Sequence, residues 1–358
     1  MHTFLRWLAR IHIGHWPSAA IWAAAVERRC HRQWKRPPAV PLTDATGLAA
    51  RLLLCGRQGG KRLRFWHRAS LALALPSAAA AASLRPPEGL PPGVEWGVAA
   101  FAALRGGQSH TERWIHDLAE AFLRRAAEAG GTLPYSAALP QLRLVDTLWM
   151  VCPFLFLYGA QAQDARCTDL AKRQLQEYLA QGLHPLTGLP AHSFAPPDGT
   201  PAGVYGWGRG CAFLFLALTQ SAAALDAAAA ERTWLVEQAL AFSKALLRIK
   251  LPGGGWPWLP LAEDRPEASA TAMLGYGFAL LAELLPDAHM QEKSTCLEAA
   301  KQAQNCLMPL TRRDGAVDFA QGDTQGIGLY STRREPLPLA QAFSLCLAKA
   351  LQKLEERA

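Results

Sequence analysis

Four apolar, helix-forming segments begin at nearly equal intervals along this chain. They span 142–160, 210–225, 269–285 and 338–353 and carry little charge on any face. Their entry points, Asp146, Trp207, Ser269 and Pro338, stand 61, 62 and 69 residues apart. Between them lie amphipathic stretches such as "DARCTDLAKRQLQEYLAQG", ending at Gly182, and "ERTWLVEQALAFSKALLRI". A helix apolar all round must be buried on all sides, whereas an amphipathic one covers a core with one face. A repeat of about 60 residues pairing the two kinds is a helical-hairpin array. Extended to the N-terminus, the period gives about six hairpins. Two architectures use such a unit: a closed (α/α)6 barrel, the expected all-α fold, and an open α-solenoid. No stretch sustains alternation at period two with β-branched residues, so a sheet is not expected. The expected organisation is one barrel domain over 1–358, with a divergent segment over about 1–90.

The chain has 358 residues, half of them hydrophobic, which excludes a disordered protein and allows a large core. Its net charge of +8 favours anionic partners without choosing among them. Eight cysteines lie far apart with no C-x-x-C pair, which argues against a zinc cluster and for a reducing, cytoplasmic setting. The basic N-terminal stretch has charges where a secretory signal needs an apolar run, and no apolar run is long enough to span a bilayer. "GRQGGKR" (56–62) lacks the spacing and the Ser/Thr of a phosphate loop, and the basic patch around it has no nucleic-acid module, so no nucleic-acid partner is expected.

The loops entering the apolar helices are long and rich in Gly, Pro and aromatics: "HPLTGLPAHSFAPPDGTPAGVYGWGRG", "LPGGGWPWLPLAEDRPEASA" and "FAQGDTQGIGLYSTRREPLP". If the repeats close, these loops meet at one mouth, where aromatic faces and charged forks suit an oligosaccharide. Asp146 sits among apolar residues at a helix start. It is either a group favoured by the helix dipole or an acid–base catalyst in a poorly solvated pocket. Arg209 is either a partner for a neighbouring helix or acid, or a fork for a substrate carboxylate. His192 is a loop histidine. Trp256 and Trp258 fit hinge packing or a sugar platform equally. Glu267, Ser269 and Thr271 read as a helix-capping cluster.

Five stretches in order resemble the unsaturated rhamnogalacturonyl and unsaturated glucuronyl hydrolases, glycoside hydrolase families 105 and 88. They are "VDTLWMVCPFL" (145–155), "TGLPAHSF" (187–194), "GWGRGCAF" (206–213), "EASATAMLGYGFA" (267–279) and "PLPLAQAFSLCLA" (336–348). The resemblance covers roughly residues 130 to 355. It implies an (α/α)6 barrel with no metal or organic cofactor. The implied reaction removes a terminal uronic acid bearing a C4–C5 double bond from an anionic oligosaccharide, by hydrating that bond. It also implies that Asp146 is the general acid/base, His192 a substrate-binding histidine, Trp207 and Arg209 holders of the unsaturated sugar, and Met150 a pocket-lining residue.

This sequence departs from the family pattern at three places. Cys211, Ala212 and Phe213 stand where the family reads Asn-Gly-Trp, which removes one polar contact and one indole. Tyr135 stands where the family often has a histidine. One repeat upstream of Asp146, where the family has a second aspartate, the chain offers only Glu88 and Glu95. The alternative to an active hydrolase is a degenerate relative that binds or helps process a polysaccharide.

Overall fold

The computed structural model describes residues 65–75, 84, 93–260, 262, 265–312 and 314–357. Glu88, the 56–62 loop and most of the divergent N-terminal segment lie outside these residues.

Among the described residues there are ten α-helices: α1 (Phe65–Ala74), α2 (Trp96–Arg105), α3 (Arg113–Glu128), α4 (Val145–Ala162), α5 (Ala165–Gln181), α6 (Gly208–Ala223), α7 (Ala230–Arg248), α8 (Ala268–Leu284), α9 (Met290–Leu307) and α10 (Pro338–Glu355). Six of them, α1, α2, α4, α6, α8 and α10, pack each against the next, and α10 packs back against α1. That closure decides between the two architectures: the fold is an (α/α)6 barrel rather than an open solenoid. The inner helices are buried on nearly every face, as their lack of charge requires. Among the described residues, α3, α5, α7 and α9 form the outer layer and bury one stripe each.

The barrel is not hollow. Trp149 of α4 stacks on Phe213 of α6 with ring centroids 5.5 Å apart, and its edge meets Phe343 of α10, on the opposite side of the ring, at 5.6 Å. Trp149 Nε1 donates to Gln220 Oε1 at 2.8 Å, so the buried indole N–H is satisfied. These rings make a floor across the barrel.

Side-chain caps start two of the described helices, α5 and α8. Asp164 caps α5, its carboxylate accepting the Arg166 N–H at 3.0 Å. Gly182 closes α5 in right-handed backbone. Its missing side chain makes room for the Tyr178 ring, 2.5 Å from where a Cβ would stand. Short strands correct the expectation of no sheet. β1 (Arg143–Leu144), β2 (Ala191–Ala195) and β3 (Thr200–Tyr205) form a three-stranded antiparallel sheet, and β4 (Ala320–Gln321) pairs with β5 (Arg334–Glu335). They lie in the mouth loops, where two to six residues with interspersed Pro and Gly give no usable alternation.

Candidate active site

The inner helices begin at the same end of the barrel, and the long loops gather there. Helix N-termini carry partial positive charge and unpaired N–H groups, so such a mouth suits an anion. The small sheet sets the position of Asp146. β1 pairs with β2 in the register Leu144↔Ser193, which brings Asp146, two residues past β1, beside His192, one residue before Ser193. His192 Nε2 lies 3.4 Å from Asp146 Oδ2. Arg143 pins the approach to β1: its Nε donates to Thr132 Oγ1 at 2.6 Å, Nη1 to the Pro140 carbonyl at 2.8 Å and Nη2 to the Ala129 carbonyl at 2.8 Å.

The Asp146 side chain is 13 % exposed. Its Oδ2 is buried and accepts no hydrogen bond among the described residues. A buried carboxylate oxygen with an open acceptor site is costly unless something outside the chain completes it.

Trp207 caps the start of α6, and its ring is enclosed. His192 lies 4.8 Å from it, Tyr330 5.4 Å, Phe213 5.9 Å and the Arg209 guanidinium 5.1 Å. Trp207 Nε1 donates to Gln321 Oε1 at 2.9 Å. At 2 % exposure, Trp207 supports the wall and does not offer a bare face for stacking. Arg209 makes the neighbouring-element contacts of the first of its two readings. It is 3 % exposed, and Nη1 and Nη2 donate to the backbone carbonyls of Gln321 and Gly322 at 2.8 and 3.0 Å. Its guanidinium ties the 319–336 loop to the start of α6.

Gln321 is the hub of this wall. Besides the Trp207 and Arg209 contacts, its N–H donates to Glu267 Oε1 at 2.7 Å and its Nε2 to the Ser331 carbonyl at 3.0 Å. Glu267 caps α8 as the sequence suggested, accepting from Ser269 N at 3.0 Å and Ala270 N at 2.6 Å. Ser269 Oγ donates to Glu267 and accepts from Arg209 at 3.4 Å, so the two buried charges are joined through one hydroxyl. Thr271 Oγ1 accepts the Trp256 N–H at 3.0 Å.

Trp256 is a core residue. It is 0 % exposed, stacks on Phe278 at 5.4 Å and donates Nε1 to the Leu246 carbonyl. The sugar-platform reading therefore does not hold for it. Trp258 is half-buried at the mouth, 5.9 Å from Tyr330. Met150 and Phe213 are buried in the inner wall below Asp146, and the Met150 carbonyl abuts Gly97 of α2, where a Cβ would clash at 2.1 Å. Tyr135 is half-buried on the loop between α3 and β1. Glu95 stands at the start of α2, the inner helix beside α4.

A family profile described as Glycosyl Hydrolase Family 88 matches residues 103–321. The chain belongs to glycoside hydrolase family 88. Solved structures share the fold of this family 88 chain. A possible member of the GH105 family from Klebsiella pneumoniae is 18 % identical, with 89 % of this chain and 96 % of that one aligned at a TM-score of 0.71. An unsaturated glucuronyl hydrolase specific for heparin is 13 % identical, with 88 % and 97 % aligned at 0.67. The unsaturated glucuronyl hydrolase from Bacillus sp. GL1 is 18 % identical, with 88 % and 96 % aligned at 0.66. No curated protein matches the sequence. No helix among the described residues of the family 88 chain is long and apolar enough to cross a membrane.

Two residues central to this mouth were not singled out by sequence. Gln321 and Tyr330 lie in "FAQGDTQGIGLYSTRREPLP", recognised only as a mouth loop. Tyr330 Oη is 2.9 Å from His192 Nδ1 and receives the Val204 N–H at 3.2 Å. Burial pushes the Tyr330 phenol above the ordinary tyrosine range; the Val204 N–H pulls the other way, and the nearby Asp146 charge adds to the rise. Neither residue has a motif around it, and only closure of the ring brings 330 to 192.

Proposed function

We propose that this family 88 chain removes a terminal 4,5-unsaturated uronic acid from an anionic oligosaccharide by hydrating its double bond, with Asp146 as the acid and then the base. The observation that carries this reading is the open, buried Oδ2 of Asp146 at the head of an inner helix, 3.4 Å from His192 Nε2. Two of the structural relatives are named unsaturated glucuronyl hydrolases, which supports the substrate class.

In the proposed reaction the Asp146 carboxyl delivers its proton to C4 of the enol ether. Positive charge develops at C5 and the ring oxygen. The resulting carboxylate takes a proton from water as the water oxygen bonds to C5, which restores the acid. The C5 hemiketal opens to a ketone, and the hemiacetal left at C1 releases the rest of the chain. Each Asp146 charge change is made beside an imidazole and at a positive helix end, where neither form is stranded. His192 is the substrate anchor in this reading. Trp258 and Tyr330 supply the half-exposed aromatic surface, whereas Trp207, Arg209, Met150 and Phe213 hold the wall. Of the two glutamates that the sequence offers for the second acid, Glu95, at the start of the neighbouring inner helix, is the one among the described residues and is the candidate in this reading.

The test uses unsaturated glucuronyl and galacturonyl disaccharides and follows loss of their conjugated ultraviolet absorbance. Wild type is expected to turn over at least one, and Asp146→Asn, which keeps the side-chain shape, to lose about 10²–10⁴-fold in kcat. No turnover of any such substrate by wild type, or activity retained in Asp146→Asn, would overturn the proposal.

A further inference from the structure

We infer that Tyr330 is a positioning residue that fixes the tautomer of His192, and through it the hydrogen atom presented to Asp146. The inference deepens the proposed reaction and rests on Asp146 being its acid/base.

The phenol oxygen lies between two nitrogens. The Val204 backbone N–H, at 3.2 Å, can only donate, so it occupies an oxygen lone pair. The phenol proton is then left for His192 Nδ1, 2.9 Å away. A neutral imidazole that accepts at Nδ1 carries its proton on Nε2, the nitrogen 3.4 Å from Asp146 Oδ2. In the other tautomer, Nε2 would turn a lone pair toward Asp146, two acceptors face to face once that carboxyl is ionised, as it is at the base step of the proposed reaction. Two hydrogen bonds therefore run one way, Val204 N–H to Tyr330 and Tyr330 O–H to His192, and leave the His192 proton on Nε2, 3.4 Å from an Asp146 Oδ2 that accepts no hydrogen bond among the described residues.

The surroundings hold Tyr330 to this duty. Its ring packs against His192 at 5.4 Å, Trp207 at 5.4 Å and Trp258 at 5.9 Å. The neighbouring Ser331 carbonyl is fixed by Gln321 Nε2 at 3.0 Å. Burial, which keeps the phenol protonated, keeps it a donor. Gly203, with φ of +80°, clears the space where they meet: a Cβ there would lie 2.7 Å from His192 Cβ and 3.0 Å from Tyr330 Oη.

The experiment compares wild type with Tyr330→Phe, which keeps the ring and removes the hydroxyl. Long-range proton–nitrogen correlation spectra of the ¹⁵N-histidine-labelled, ligand-free chain are recorded at a pH where His192 is neutral. The His192 signals are assigned by their loss in His192→Gln, as the chain has ten histidines. Wild type is expected to show His192 protonated on Nε2 alone, and Tyr330→Phe a mixture of both tautomers. On a turned-over unsaturated disaccharide, kcat is expected to fall about five- to tenfold with KM little changed, the loss of one neutral hydrogen bond. A wild-type His192 protonated on Nδ1, or a tautomer unchanged in Tyr330→Phe, would overturn the inference. The spectra need no substrate, so failure of the proposed reaction, seen as a wild type inactive on every unsaturated uronide, is read separately.

Discussion

Gly203→Ala is the most selective way to disturb the mouth from a distance, because the residue touches no substrate in the proposed reaction. Two costs follow from its place on β3. At φ of +80° an alanine is in the left-handed region, which costs roughly 1–2 kcal/mol. Its Cβ would also stand 2.7 Å from His192 Cβ. Carbon–carbon contacts normally sit at about 3.5–4.0 Å, so His192 must retreat by roughly 1 Å, an overpacking that costs about 1–3 kcal/mol more. The sum, about 2–5 kcal/mol, lies within the total stability of an ordinary domain, so the variant should fold with a lower Tm. A displacement of His192 by that much should cost about 10- to 100-fold in kcat/KM. Gly199→Ala is the matched control. Gly199 is in the same hairpin with φ of +71°, but its Cβ would meet only Gln181 atoms, the nearest at 3.4 Å. It should pay the backbone cost and keep its activity. Thermal melts and the disaccharide assay on both variants decide the matter. Gly203→Ala with wild-type kcat/KM, or Gly199→Ala equally impaired, would refute the idea that His192 placement limits the reaction.

Two further expectations follow from burial. Trp258→Ala should raise KM with little change in Tm, while Trp256→Ala should lower stability by about 3–5 kcal/mol, as loss of a core indole does; steady-state kinetics and denaturant melts separate the two. Burial holds the thiols of Cys152 and Cys211 far above their ordinary range and pushes Cys346 up to about 12. Above pH of about 9 the unfolded chain therefore releases protons that the native one keeps, so stability is full below that pH and falls as pH rises, by up to about 1.4 kcal/mol per pH unit for each thiol. Urea melts at pH 7, 9 and 10 that show no decline would contradict this.

The fold was readable because burial writes itself into inner helices as missing charge. Segments 210–225 and 269–285 have no polar stripe, and the structure starts these helices at Gly208 and Ala268. Ring closure was not readable: whether α10 meets α1 depends on accumulated helix angles that no local pattern encodes. At the mouth, Asp146 and His192 were legible as residues, but their meeting depends on a two-residue strand, β1, whose register no alternation announces. Arg209 was legible only as a charge beside an indole. Its partners are backbone carbonyls more than a hundred residues away, and a carbonyl leaves no mark in a sequence.

The replacement of the family's Asn-Gly-Trp by Cys211, Ala212 and Phe213 takes on a different meaning once placed in the barrel. All three side chains are buried, and none forms the rim. Phe213 lies flat on Trp149 and edge-on to Trp207, and Trp149 in turn meets Phe343 across the ring. A tryptophan at 213 would need more volume in a layer that three helices already fill, and close-packed interiors accept such growth only when neighbours shrink. An asparagine at 211 would bring an amide into a place where burial is the main influence on the thiol. The change therefore reads as a coordinated repacking of the floor under the site, with apolar groups matched to apolar surroundings. It leaves the groups that face the mouth, Asp146, His192, Tyr330 and Trp258, to a separate layer, so the floor could change in this chain without removing the acid on which the proposed chemistry depends.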